Sequence, residues 1–136
     1  MKRALFLLLA STLVLTGCAR NTDATKPEAA AFTTLAQYQN QKLDWKKCHD
    51  YFVCTFLKVP IDYTNLSTGT FEIAVIKYEA IKPESRLGAI VVNPGGPGAS
   101  GFDYAMGAEF IFNTDILDRY DIVGFDSRGV SRSAPI

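Results

Sequence analysis

Gly88-Ala89-Ile90-Val91-Val92-Asn93-Pro94-Gly95-Gly96-Pro97-Gly98-Ala99-Ser100-Gly101 sets a short, uniformly apolar run against a loop that holds four glycines and two prolines in nine residues. Five small or aliphatic residues bounded by turn chemistry read as a strand. They leave no alternation to mark a wet face, so the expectation for 88–92 is a strand buried on both sides. A second run of the same kind, Tyr120-Asp121-Ile122-Val123-Gly124-Phe125, follows about a dozen helix-compatible residues at 104–117. Strand, glycine-rich turn, helix, strand is a βαβ unit with parallel strands, and its crossover is right-handed almost without exception. The predicted fold class is α/β.

Working outward, residues 52–59 are mostly apolar or β-branched and end at Pro60, which cannot donate to a ladder and so belongs at a strand end. Residues 71–78 begin with apolar-polar alternation, and 65–69 supply a turn between the two runs. The expectation is an antiparallel pair ahead of the βαβ unit, four strands in all. An exposed edge after the last of them would make residues 19–136 prone to aggregate. Residues 31–43 carry apolar side chains at 32, 35, 36, 38 and 43, a weak helical spacing that fits a short helix on the domain surface.

The N-terminus reads as an export signal. Lys2 and Arg3 precede an apolar run at 4–15, too short to cross a bilayer as a helix, and Leu15-Thr16-Gly17-Cys18 follows. That tetrapeptide resembles the bacterial lipobox, which implies cleavage before Cys18 and a diacylglycerol on its thiol. Two acyl chains meet the condition for stable anchoring. An ordinary cleaved signal with an incidental cysteine is the alternative. The expected organisation is a lipoprotein signal peptide at 1–17, a tether and short helix at 18–43, and a folded domain at 44–136. The expected location is extracytoplasmic, at a bacterial membrane or cell surface. With Cys18 lipidated, Cys48 and Cys54 remain as an even pair, which in an exported chain favours a disulfide. Zinc held by Cys48, His49 and Cys54 is the sharper alternative, short of a fourth ligand.

Composition excludes other classes. Fourteen Lys and Arg balance 14 Asp and Glu, so the basic footprint of a nucleic-acid binder is missing. Nine Phe, six Tyr and one Trp are more aromatic content than a disordered chain carries. The 136 residues are enough for one domain with a core of its own.

Ligands of an open α/β sheet bind beyond the carboxyl ends of its strands, which here carry residues 93–101 and 126–133. Two chemistries fit the first loop. Gly96-Pro97-Gly98-Ala99-Ser100-Gly101 satisfies G-x-G-x-x-G between a strand and a helix, with Asp126 at the end of the next strand, so a dinucleotide-binding domain is formally possible. Against it, Pro97 removes a backbone donor from the loop meant to cradle the pyrophosphate. The other chemistry is an oxyanion loop, whose backbone N–H groups face developing negative charge without side chains in the way.

Residues 91–101, followed by Tyr120-Asp121-Ile122-Val123-Gly124-Phe125-Asp126-Ser127-Arg128-Gly129-Val130, resemble the exported tripeptidyl/prolyl aminopeptidase-like family of α/β-hydrolases. Trp45, Cys48, Cys54, Val59-Pro60-Ile61-Asp62-Tyr63 and Ala80 fall where that family has matching residues. The resemblance covers roughly residues 45–135. It implies that Gly96 is an oxyanion-hole donor, with Gly95 the runner-up, and that Asp126 and Arg128 pair to hold the loop floor beside the active site. It also implies a peptide substrate, no cofactor, and a monomer at full length. Pro94 stands where relatives with an H-G-x-P loop have His, and Ser131 where the family has Gly. Ser133 is placed to cap a following helix.

In α/β-hydrolases the nucleophile elbow, the acid and the His come later in the chain than the oxyanion loop. Gly98-Ala99-Ser100-Gly101-Phe102 and Gly129-Val130-Ser131-Arg132-Ser133 are near misses for G-x-S-x-G and receive no nucleophile. His49, the single histidine, precedes the oxyanion loop and reads as a surface residue. The expectation is the N-terminal part of a lipid-anchored serine hydrolase that carries the oxyanion loop, lacks the triad, and is inert alone. A truncated, non-catalytic lipoprotein is the alternative.

Overall fold

The computed structural model describes residues 32–133, so the signal, Cys18 and most of the tether lie outside the described residues. Five strands form one mixed sheet in the order β1-β2-β3-β5-β4: β1 (Lys46–His49), β2 (Phe52–Pro60), β3 (Thr70–Tyr78), β4 (Gly88–Val92) and β5 (Tyr120–Phe125). The runs at 52–59 and 71–78 pair antiparallel as expected, from Phe52 opposite Tyr78 to Pro60 opposite Thr70. The two apolar runs pair parallel, Gly88 opposite Tyr120 through Val92 opposite Gly124. Architecture and fold class are those of an α/β protein.

Four details depart from expectation. Strand β1 was not predicted, because Lys-Lys-Cys-His is exposed throughout and gives no apolar signal. It is held as the outer arm of a hairpin on β2 and by the Cys48–Cys54 disulfide. The last strand is not an edge, because β5 also pairs antiparallel with β3, so the described edges are β1 and β4. Strand β4 is buried on one face only, with Ile90 and Val92 turned inward and Ala89 and Val91 exposed. The helical region is three short helices rather than one.

The first of these, α2 (Gly101–Met106), follows α1 (Leu35–Gln39) in chain order and begins earlier than predicted, because the Ser100 hydroxyl accepts the Asp103 N–H at 2.9 Å and caps it. It ends at Gly107, where α3 (Ala108–Ile111) starts. Asn113 then accepts the Ile116 N–H at 3.1 Å and opens α4 (Thr114–Arg119). The expected surface helix at 31–43 is α1, introduced by a capping box at Thr34 and Gln37 and packed through Tyr38, whose hydroxyl lies 2.9 Å from Thr70 Oγ1.

The core lies between the sheet and these helices. Phe52, Ala74, Ile76, Tyr78, Val92 and Ile122 meet Phe102, Ala105, Ala108 and Leu117. Ile76 and Ile122 retain no exposed surface, and burying each stabilises by about 1.5–3 kcal/mol over leaving it in water. On the opposite face, Trp45, Leu57, Val59, Val91, Val123 and Phe125 line an open apolar groove of about 500 Å³. Helix α2 comes unusually close to β5. A Cβ on Gly101 would overlap the Phe125 carbonyl oxygen, and one on Gly124 would overlap the Gly101 carbonyl oxygen, so both positions need glycine for the helix to sit down on the strand. Among the described residues, no helix is long and apolar enough to cross a membrane.

Candidate active site

The glycine-rich loop leaves the carboxyl end of β4 and runs into the cap of α2, beside the exit of β5. Its residues 93–99 are exposed. Gly95, Gly96 and Gly98 all have positive φ, and Gly96 at φ 138° is the most constrained, since a Cβ there would lie 2.9 Å from the Gly98 nitrogen. The Gly95 N–H is spent on Asn93 Oδ1 at 3.1 Å. The N–H groups of Gly96, Gly98 and Ala99 donate to no acceptor among the described residues. The loop therefore offers unshielded backbone donors at its turn, and Gly96 supplies the first of them.

Asp126 has no exposed surface, and its carboxylate is fully committed to the protein. Oδ1 accepts from the Ser100 hydroxyl at 2.5 Å and the Phe102 N–H at 3.3 Å. Oδ2 accepts from the Arg132 N–H at 3.0 Å and faces the Arg132 guanidinium at 3.6 Å. No lone pair is left facing a ribose, which removes the main support for a dinucleotide site. The expected Asp126–Arg128 pair does not form. Arg128 instead donates to the carbonyls of Pro60 at 2.6 Å and Ile61 at 2.9 Å, and lies over the rings of Tyr63 and Phe71. The carboxylate is taken by Arg132, which also binds Asp103 at 2.8 Å and stacks on Phe102 at 4.2 Å. Arg128 and Asp126 thus hold the same loop to different parts of the fold, Arg128 to the end of β2 and Asp126 to the start of α2.

Ser133 caps no described helix. Its hydroxyl donates to the Asp126 carbonyl at 2.5 Å and accepts the Ala74 N–H at 3.0 Å, stitching the loop to β3. Ser131, at the position where glycine was expected, sits at φ 44° in the left-handed region. Among the described residues neither near-miss serine is paired with a histidine: Ser100 donates to the Asp126 carboxylate and caps α2, Ser131 accepts from Arg132 Nη1 at 3.3 Å, and His49 is exposed on β1, at the sheet edge opposite β4. Cys48 and Cys54 are bonded to each other, with Cα atoms 5.7 Å apart, so neither thiol is free for zinc.

Sequence reasoning missed Ser100, Arg132 and Ser133 as loop-building residues. Ser100 followed by Asp103 at the third helical position was the available sign of a cap. Nothing local distinguishes Arg132 from Arg128.

Comparison with curated proteins places these features in a lineage. The chain is 38% identical over 122 residues to a carboxylesterase B of Mycobacterium tuberculosis, covering 82% of this chain and 23% of that protein. It is 32% identical over 137 residues to the serine protease Hip1 of the same species, covering 94% of this chain and 25% of the relative. These likenesses are to a serine hydrolase-like family. A tripeptidyl aminopeptidase of Streptomyces coelicolor is 36% identical over 103 residues, covering 69% of this chain and 19% of its own length. The chain spans about a quarter or less of the length of these relatives. No family model matches the chain.

Proposed function

We propose that residues 44–136 are the oxyanion-loop part of an extracytoplasmic serine hydrolase of aminopeptidase type, which releases short peptides from the N-termini of oligopeptides. Gly96 donates its N–H to the oxyanion of the tetrahedral intermediate. The observation that carries this assignment is the division of labour within the loop: the Gly95 N–H is occupied by Asn93, whereas that of Gly96 is unengaged among the described residues. One such donor contributes about 3–4 kcal/mol to transition-state stabilisation. The nucleophile, acid and His base are contributed by polypeptide outside these 136 residues, a reading supported by the greater length of the relatives. Asp126 and Arg128 support the loop and touch no substrate. Cys18 carries the lipid that holds the protein at the membrane, and the hydrolase acts as a monomer without a cofactor.

A second reading, ester hydrolysis, is favoured by the 38% identity to a carboxylesterase B. The complete product of the reading frame, purified from a membrane fraction, is assayed with a fluorophosphonate probe, tripeptidyl anilides and short-chain nitrophenyl esters. Labelling with faster turnover of the anilides supports the aminopeptidase. Labelling with turnover of esters alone replaces it with an esterase. A product that is not labelled overturns both and leaves a non-catalytic lipoprotein.

A further inference from the structure

Residues 95–99, Gly-Gly-Pro-Gly-Ala, carry no side chain long enough to tie them to the domain, and all are exposed. Their aim is therefore inherited from the two ends of the loop, Val92 in β4 and Ser100 at the cap of α2. The β4 end is set by the parallel ladder. The Ser100 end is set by Asp126.

Asp126 is unusual in what surrounds it. Its backbone N–H donates to the Ala74 carbonyl at 3.0 Å, and its own carbonyl accepts from Ser133, so the main chain is locked to β3. From that fixed base, one carboxylate oxygen grips Ser100 and Phe102 and the other grips Arg132. Arg132 closes the ring by binding Asp103 and lying over Phe102. The first turn of α2 is thus held at positions 100, 102 and 103 by one segment, residues 126–132. A buried carboxylate is costly unless its oxygens are hydrogen-bonded, and here one oxygen is used on the helical turn that fixes the glycine loop and the other on Arg132, which itself holds that turn through Asp103.

We propose that Asp126, acting through Ser100 and steadied by Arg132, is a positioning residue that aims the Gly96 N–H at the oxyanion. It touches neither substrate nor reacting atoms. This inference rests on the reading of the glycine loop as the oxyanion donor. An oxyanion donor must be held within about 0.5 Å of its productive place, and displacement by about 1 Å costs on the order of a hundredfold in rate. Loss of the tie should therefore lower kcat and leave KM nearly unchanged, because the substrate's ground state does not depend on the donor.

The test uses the complete product of the reading frame with Ser100→Ala, Ser100→Thr, Asp126→Asn and Arg132→Gln. Ser100→Ala and Asp126→Asn are expected to lower kcat about 10- to 100-fold, with KM within about twofold. Affinity for a peptidyl boronate, which forms a tetrahedral adduct, should fall by the same factor, while affinity for the hydrolysis product stays constant. Ser100→Thr restores the hydroxyl and should restore kcat to within about threefold, a rescue that loss of fold alone does not give. Arg132→Gln should fall between these and the parent. If Asp126→Asn does not fold, the Ser100 pair decides, since that side chain is only half-buried. Unchanged kcat and boronate affinity in Ser100→Ala overturn the proposal, as does a loss that threonine fails to rescue. A parent that reacts with fluorophosphonate while Ser100→Ala labels equally fast defeats the positioning role alone. A parent that does not react defeats the hydrolase reading and the proposal with it.

Discussion

Replacing Gly124 by alanine tests whether the glycine loop is seated by the contact between α2 and β5. The new Cβ would lie 2.6 Å from Ala105 Cβ and 2.9 Å from the Gly101 carbonyl carbon, and would overlap the Gly101 carbonyl oxygen. Carbon atoms rest about 3.5–4.0 Å apart, so α2 must lift by about 1 Å. The atoms in the way are largely backbone and cannot rotate aside, which puts the cost near the upper end of the ~1–3 kcal/mol typical of overpacking. Alanine recovers about 0.5–1 kcal/mol by its smaller entropy loss on folding, leaving a net loss of about 2 kcal/mol. In a protein of the relatives' size, that lowers Tm by a few degrees. Because α2 carries Ser100 with it, fluorophosphonate labelling should slow by at least about tenfold. Gly88→Ala is the control: it meets nothing within 4 Å and its φ is not positive, so Tm should hold or rise slightly. Thermal melts and labelling rates of the complete product, side by side, decide the matter. A Gly124→Ala protein with the parent's Tm and labelling rate would refute the close-packing argument.

Acid should weaken the fold through Asp121. Burial pushes this carboxyl up, but the hydrogen bond from Arg86 at 2.8 Å and the Ala80 N–H at 3.0 Å outweigh it and hold the group below its ordinary value of 3.8. A lowered folded value means the pair's contribution is complete above the ordinary value and is lost as pH falls through the folded one. Asp121→Asn should cost about 1–2 kcal/mol at neutral pH and flatten the acid limb of a stability-against-pH curve, and an unchanged acid limb would count against the pair. Reducing the disulfide, or Cys48→Ser with Cys54→Ser, should cost about 2 kcal/mol on the chain-entropy model, read by denaturant melts, with hydrogen exchange accelerating first in β1. Arg128→Met leaves the buried end of β2 without its donor at the Pro60 carbonyl and should cost about 1–3 kcal/mol, read as a lower denaturation midpoint, with little change in KM.

Much of the fold was legible because β2, β3, β4 and β5 are each announced by local pattern and punctuation. What pattern could not give was order. Whether β5 lies outside β4 or between β4 and β3 depends on pairings between residues that are distant in the chain, such as Val75 opposite Phe125, and no periodicity within β5 records them. The same distinction explains the one wrong partnership at the site. Asp126 and Arg128 are neighbours in sequence, so pairing them was natural. Arg128 is instead drawn to carbonyls at the end of β2, 67 and 68 positions away. Those carbonyls lie where β2 has run out of ladder, and a guanidinium with a planar fork can satisfy two of them at once. Once Arg128 is committed there, the buried carboxylate still requires a cation, and Arg132, brought back by the turn at 127–131, is the one that reaches it. The glycine loop was identifiable from its residues because backbone donors need the absence of side chains. Its support was not, because the support is made of ordinary residues, Ser100, Asp126 and Arg132, whose meaning comes only from where the sheet places them.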